Sequence, residues 1–126
     1  AFIICGTDAG IVGTAPGYSI HHELEFYRQC GMSNYEALRT ATWNPSKVHP
    51  QFKDCGSIAI GMKANFILSS QNPLEQISSL EKPIWVMQKG RKLEANSLSE
   101  FEAKAHDRSN FIATAVRVLK YMFWDK

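Results

Sequence analysis

The chain has 126 residues, of which 44% are hydrophobic and 21% are charged, a composition typical of one ordinary globular domain. Its formal net charge of +2 is too small to indicate a nucleic-acid partner or an anionic membrane surface. No apolar run approaches the roughly 20 residues of a membrane span, and the opening AFIIC lacks the basic flank of a signal peptide. We therefore expect neither nucleic acid nor a membrane as a partner.

The chain has 3 cysteines, at positions 5, 30 and 55, and none of them belongs to a CxxC motif. An odd number cannot pair completely within one chain, and the missing motif argues against a structural zinc site. We interpret the three thiols as small, partly buried apolar side chains in a reducing compartment, and we expect a cytoplasmic protein.

The first element is a short apolar run, Phe2–Cys5, which has no alternation of apolar and polar residues. This pattern predicts a buried strand of a parallel sheet. The next twelve residues, 6–17, include four glycines and one proline, and they predict a loop. Asp8 lies at the start of that loop.

A helix is predicted after the loop, with Ser19 as its cap and Gly31 as its stop. Its buried stripe follows the helical period and consists of Ile20, Leu24 and Tyr27.

A second helix is predicted from Ser33, because Glu36 three residues later completes a capping box. Its inward face is expected to be formed by Ala37, Leu38 and Ala41. Asn44-Pro45 is expected to end this helix and to begin a short third one.

The second half of the sequence predicts strands followed by a long helix. Residues 56–60 and 64–70 are predicted as two strands joined by a tight turn at 61–63, and residues 72–80 as a loop or a helical turn. Residues 84–88 and 91–93 are predicted as a hairpin around Lys89-Gly90. From Ser97, which forms a capping box with Glu100, an apolar stripe predicts a helix of about 25 residues.

The predicted strands are too few to close a sandwich or a barrel by themselves, and the first one has no parallel neighbour in the sequence. We therefore expect that further chain precedes residue 1, or that the protein forms a homo-oligomer.

Six motifs, in this order, carry a resemblance to a known family: GTDAG, PGYSIHHELE, GMSNYEALRTATWNPSK, GSIAIGMKANFIL, NPLEQI and VMQKGR. Together they resemble the carboxy-terminal portion of the metal-dependent amidohydrolase superfamily, and within it the imidazolonepropionase and Xaa-Pro/Xaa-Arg dipeptidase-like group. The resemblance covers about residues 2–93. It does not extend to the helix predicted over 97–126.

The resemblance implies an α/β fold in which a TIM barrel carries a small β-sandwich. Such a barrel takes about 250 residues, so this chain can hold only its last part. We expect the last barrel strand and its helices over 1–49, the carboxy-terminal share of the sandwich over 50–95, and a C-terminal helix over 96–126.

Asp8 is the candidate catalytic residue and the candidate metal ligand. In the family, the aspartate at the matching position binds a divalent metal ion and takes a proton from the attacking water. The family's sites hold one or two such ions, and zinc is the expected metal. The position fits, because active sites of barrel enzymes lie where the strands end and the loops begin. The alternative is that Asp8 only stabilises a glycine-rich turn, where aspartate is common.

His21 is the candidate substrate-binding residue, because it matches a histidine found after this loop in relatives. It is expected in the first turn of a helix, where free N–H groups favour a carboxylate or a carbonyl. A surface or capping histidine is the alternative. His21 and His22 form HH rather than the family's HxH pair, and neighbouring helical residues point about 100° apart. The remaining family ligands have no counterpart here.

The expected function is hydrolysis of a C–N bond in a cyclic amide or a small peptide-like amide by metal-activated water, with this chain inactive alone. Its expected partner is a small-molecule substrate. The alternative is a non-enzymatic, truncated module that pairs with another chain.

Overall fold

The structure, a computed structural model, describes residues 2–9 and 14–107. It divides into two compact units, Ala1–Glu94 and Ala95–Lys126. The described elements of the first unit are the helices α1 (Ser19–Gln29), α2 (Asn34–Ala41) and α3 (Trp43–Val48), short 3-10 helices at Pro50–Phe52 and Ile77–Glu81, and the strands β1 (Phe66–Leu68), β2 (Trp85–Gln88) and β3 (Arg91–Glu94). These helices and strands confirm the mixed α/β character of the prediction.

Helix α1 lies where the sequence predicts it, but Ser19 is not its cap. The residue before the helix is Tyr18, whose side chain makes no capping bond, and the Ser19 hydroxyl instead accepts a hydrogen bond from Ala15 N at 2.8 Å. The C-terminal end follows the prediction. Gly31 N donates to Arg28 O at 2.9 Å and Met32 N to Tyr27 O at 3.1 Å, which is the bond pair of a Schellman motif.

Helix α2 begins with the predicted capping box. The Ser33 hydroxyl accepts from Glu36 N at 3.2 Å, and the Glu36 carboxylate accepts from Ser33 N at 2.8 Å. The predicted end at Asn44-Pro45 is wrong, because the break between helices falls at Thr42 and both residues lie inside α3. Proline is tolerated there because the N–H groups of a first helical turn have no intrahelical acceptor.

The core of the first unit lies between α1, α2 and the 3-10 helix at Ile77–Glu81. Its buried side chains are Leu24, Ala37 and Ile77. The partly buried residues packed against them are Ile20, Tyr27, Leu38, Ala41 and Leu80. This arrangement confirms the inward faces that the helical period predicts for both helices.

The sheet has three antiparallel strands in the order β1-β2-β3. The predicted hairpin is confirmed: Lys89 (φ 50°) and Gly90 (φ 81°) both adopt positive φ, as a two-residue turn of this kind requires. Lys89 N also donates to Asn65 Oδ1 at 2.8 Å, which joins the turn to the residue before β1.

The strand predicted at Phe2–Cys5 is wrong for the described structure, where this segment is extended but belongs to no sheet. Its backbone is held by the helices. Cys5 N donates to Thr40 O at 3.0 Å, and the Asn44 side chain donates to Ile3 O at 2.8 Å. A strand requires a neighbouring strand for its ladder of hydrogen bonds, and the described chain offers the segment helical partners instead.

The strand predicted at 56–60 is also wrong, since these residues form a loop. The side chains of Ile58 and Ile60 are 86% and 107% exposed, so no other residue of the described chain buries them. Gly56 explains part of this path. It has φ +86°, and a Cβ there would lie 2.3 Å from Thr42 O, so the loop passes closer to the end of α2 than any other residue allows.

The described part of the second unit is helix α4 (Ala95–Asp107). It begins two residues before Ser97, so the capping box predicted at Ser97 and Glu100 lies within the helix rather than at its start. The rest of the predicted long helix lies outside the described residues. Within the described chain, no helix combines the length and the apolar character needed to cross a membrane.

Candidate functional site

Asp8 lies in an unusual backbone conformation at the end of the extended segment. Its φ is 45°, in the left-handed region that few residues other than glycine adopt, although aspartate is enriched there. The hydroxyl of Thr14 donates to Asp8 O at 3.0 Å, so the two ends of the loop are joined through the Asp8 carbonyl. The Asp8 side chain is exposed. Asp8 thus presents an accessible carboxylate from a backbone conformation that few residues adopt.

Glu23 of α1 holds the backbone just before Asp8. Its Oε1 accepts a hydrogen bond from Gly6 N at 3.0 Å, two residues before the candidate catalytic carboxylate. The same oxygen accepts from the hydroxyl of Tyr27, one helical turn further on, at 2.5 Å. Burial disfavours the charged form of Glu23, but hydrogen bonds from Tyr27, Gly6 and Cys5 outweigh it and lower the pKa of its carboxyl. Glu23 is therefore an ionised acceptor for three donors.

The donors around Glu23 show the complementary effect. Burial, together with the hydrogen bond to the Glu23 carboxylate and its charge, raises the pKa of the Cys5 thiol to about 12. The same causes raise the pKa of Tyr27. Because a thiolate is the reactive form of cysteine, Cys5 is an inert hydrogen-bond donor at neutral pH. The structure gives all three cysteines as free thiols, of which Cys30 is exposed and Cys5 and Cys55 are half-buried.

His21 lies in the first turn of α1, as predicted, and is half-buried. Burial lowers the pKa of its imidazole, the carboxylate of Glu81 opposes this effect, and the neighbouring His22 adds to it. Glu81 ends the 3-10 helix that packs against α1, so His21 is close to that helix. The His22 ring packs edge-on against Tyr18 with a centroid distance of 4.9 Å. In the part of the chain that the structure describes, no hydrogen bond or ion pair links His21 to Asp8.

A metal ion needs more ligands than the described residues bring together. Among residues 2–9 and 14–107, no group of three or more histidine, cysteine, aspartate or glutamate side chains converges on one point. Asp8 itself fits a divalent cation as one ligand, since its carboxylate is exposed and no described hydrogen bond or ion pair occupies its oxygens. Glu23 differs from Asp8, because its Oε1 is occupied by donors and its Oε2 is buried without a hydrogen-bond partner among the described residues.

A cleft of about 250 Å³ lies beside the extended segment. It is lined by Phe2 and Ile3 of that segment, by Met32, and by residues of α2 and α3 that include the fully buried Thr40. Neither Asp8 nor His21 lines it, so this cleft is not the site that the two candidate residues define.

The sequence analysis missed Glu23. Its signal is present in ELEFY, residues 23–27, where Glu23 lies four residues before Tyr27 and therefore on the same helical face. The sequence spacing within the helix could not predict Gly6 as a hydrogen-bond partner of Glu23, because the two residues meet only when the loop is folded.

Residues 1–93 match the model of the amidohydrolase family. The match spans most of the chain, and the chain therefore belongs to the amidohydrolase family. This confirms the resemblance at the level of the family.

Among curated proteins, the chain is similar to three ochratoxinase sequences from strains of Aspergillus niger. Each is 39% identical to it over 83 residues, which is 64% of this chain and 16% of the relative. The chain thus spans about 16% of the length of the curated relatives that it matches.

Proposed function

We propose that this chain is the carboxy-terminal part of a metal-dependent amidohydrolase that cleaves the C–N bond of a cyclic amide or a small peptide-like amide. The observation that carries the proposal is the family match over residues 1–93, which includes an exposed carboxylate at Asp8 in a backbone conformation that few residues adopt. The six motifs further favour the imidazolonepropionase and Xaa-Pro/Xaa-Arg dipeptidase-like group.

The proposed architecture assigns a part of a larger fold to each region. Residues 1–49 would supply the last helices of a TIM barrel together with Phe2–Cys5, which would become a strand only against upstream strands of the barrel. Residues 50–95 would supply a share of a β-sandwich, and residues 96–126 a C-terminal helix. Exposed apolar side chains support the first assignment. Phe2 and Ile3 are 57% and 45% exposed, and covering them with further protein would remove apolar surface from water.

In the proposed mechanism, a divalent cation, zinc being the expected one, lowers the pKa of bound water toward neutrality when it is present. Asp8 would hold this cation together with ligands from outside the chain. Its second role is that of a general base and acid: a carboxylate oxygen accepts the proton of the attacking water and returns it to the leaving nitrogen.

His21 would bind the carbonyl or the carboxylate of the substrate from the first turn of α1. Its lowered pKa favours the neutral imidazole, which can still donate one hydrogen bond. Ser19 N donates to Ala15 O at 3.0 Å and His21 N to Tyr18 O at 3.1 Å, so the proposed contact with the substrate is made by the His21 imidazole and not by these backbone N–H groups. The substrate is a small molecule, and the protein is proposed to act in the cytoplasm.

A non-enzymatic module that pairs with another chain is the second candidate. The observation in its favour is the exposure of Ile58 and Ile60 in the loop that precedes β1 in the sequence, since β1 forms one edge of the described sheet. Either upstream residues of the same protein or a second copy could cover this surface.

The test uses the complete protein that carries this segment. We expect it to contain a stoichiometric divalent metal and to hydrolyse at least one of three probes: a Xaa-Pro dipeptide, an imidazolone-type cyclic amide, or ochratoxin, the compound in the name of the curated relatives. A chelator should abolish the activity and added zinc should restore it. A metal-free protein that hydrolyses no probe would favour the module.

A further inference from the structure

The segment that carries Asp8 is held by a few separate hydrogen bonds, one of which joins the Thr14 hydroxyl to Asp8 O at 3.0 Å. Residues 2–8 belong to no sheet, so no ladder of backbone hydrogen bonds fixes them. Two bonds hold the beginning of the segment, Asn44 Nδ2 to Ile3 O at 2.8 Å and Cys5 N to Thr40 O at 3.0 Å. Neither reaches the residues next to Asp8.

The bond from Gly6 N to Glu23 Oε1, at 3.0 Å, is the described bond that fixes the backbone between Cys5 and Asp8. A hydrogen bond to an ionised carboxylate is stronger than one between neutral groups. Glu23 is itself fixed, because Tyr27 donates to the same oxygen from one turn along the helix. Its Oε2 is buried and makes no hydrogen bond within the described structure, so this carboxylate is held by its Oε1 side.

We infer that Glu23 is a positioning residue, which holds Gly6 and thereby the backbone that presents the Asp8 carboxylate to its metal and its substrate. This inference rests on the proposed function of Asp8. Glu23 touches neither the metal nor the reacting atoms. It acts through the backbone of Gly6 and Thr7, in the way that outer partners of metal ligands orient those ligands in other enzymes.

The test compares Glu23→Ala and Glu23→Gln with the matched control Glu25→Gln in the complete, metal-loaded protein. Glu25 lies on the same helix, but within the described part of the chain its carboxylate pairs only with the exposed Arg28, at 3.6 Å. Four quantities are measured: kcat per bound metal, KM, the affinity for zinc, and the hydrogen–deuterium exchange of the Gly6–Asp8 amides.

Removal of an outer partner typically costs about 10–100-fold in activity or metal affinity, and we expect a loss of this size for Glu23→Ala. KM should change little, and exchange over Gly6–Asp8 should become faster. Glu23→Gln keeps a neutral acceptor for Gly6 N, so it should recover part of the loss. Glu25→Gln should match the wild-type protein in all four quantities.

A merely structural role gives a different result. In that case Glu23→Ala lowers the melting temperature, while kcat per bound metal, zinc affinity and the Gly6–Asp8 exchange stay at wild-type values, and the inference is overturned. If Glu23→Ala fails to fold, Tyr27→Phe replaces it, because it removes a donor that fixes Glu23. An active wild-type protein with unaffected variants overturns this inference alone, whereas an inactive, metal-free wild-type protein overturns the proposed function and this inference together.

Discussion

The helices and the hairpin of this chain differ in where their partners lie from two segments that the sequence predicts as strands, Phe2–Cys5 and 56–60. Helices α1 and α2 bury Leu24 and Ala37 against each other, and β2 finds both of its neighbours within the chain. The segments Phe2–Cys5 and 56–60 also contain apolar, β-branched residues, yet the described structure gives neither of them a neighbouring strand. An apolar, β-branched run therefore indicates a segment whose side chains are stabilised by burial. Whether that segment forms a strand depends on whether another strand is available beside it.

The largest effect on activity is expected from substitution of Asp8, which follows the segment Phe2–Cys5 that lacks a strand partner in the described chain. Asp8→Asn keeps the size of the side chain but removes its charge and its basicity. General acid–base help is typically worth about 10²–10⁴-fold in rate, so kcat of the complete enzyme should fall by at least that factor. Steady-state kinetics with the best of the three probes measures it. Since the side chain is exposed, the melting temperature should change little, and near-normal hydrolysis would remove Asp8 from the mechanism.

A substitution in the core tests whether α1 and α2 are stabilised by their packing against each other. Leu24 is 4% exposed, and Leu24→Ala should lower the free energy of unfolding by about 2–5 kcal/mol, because it removes transfer energy and leaves a cavity. Urea unfolding followed by circular dichroism measures the change.

Ile58→Ala is the matched control for Leu24→Ala, because Ile58 is 86% exposed. In this chain alone it should change stability by no more than about 0.5 kcal/mol, as surface substitutions usually do. In the complete protein it should cost more, provided that further chain covers this loop. Equal and small effects in both proteins would mean that the apolar loop has no partner.

A smaller effect is expected at the start of α2. Ser33→Ala removes the side-chain half of the capping box and should destabilise the chain by about 1 kcal/mol, as the loss of a serine cap typically does. Ser57→Ala, in the exposed loop, serves as its control. Thermal unfolding of the two variants in parallel measures the difference, and equal melting temperatures would show that the cap contributes nothing.

The pH dependence of stability should carry a contribution from Glu23. Its pKa is lower in the folded chain than in the unfolded one, since the hydrogen bonds it accepts outweigh its burial. Stability from this group is therefore complete above its unfolded pKa and is lost as the pH falls through the folded value. Urea midpoints from pH 7 to pH 3 should fall less steeply for Glu23→Gln than for the wild-type chain. Parallel curves would exclude this contribution.

The local parts of the fold could be predicted from the sequence because their causes are local. The capping box of Ser33, the stop at Gly31 and the turn at Lys89-Gly90 each depend on residues within a few positions of one another. The predicted cap at Ser19 is wrong because the serine hydroxyl accepts a hydrogen bond from Ala15 N instead of from the helix backbone. Ala15 N comes within reach only in the folded loop.

The candidate site was predictable only in part for the same reason. Asp8 and His21 follow from motifs that are continuous in sequence. The hydrogen bond between Gly6 and Glu23 joins a loop to a helix across 17 residues of sequence. No pattern within the loop or within the helix predicts it. The lowered pKa of His21 likewise depends on burial and on Glu81, sixty residues away in sequence.

Zinc binding by the complete protein, compared between the wild type and Asp8→Asn, tests the role of Asp8 most directly. The two purified proteins are titrated with zinc under the same conditions, their metal content is measured by mass spectrometry, and circular dichroism verifies that both are folded. We predict that the wild type retains zinc through purification and that the variant binds it much more weakly with an unchanged spectrum. Equal zinc affinity in the two folded proteins would contradict the assignment of Asp8 as a metal ligand.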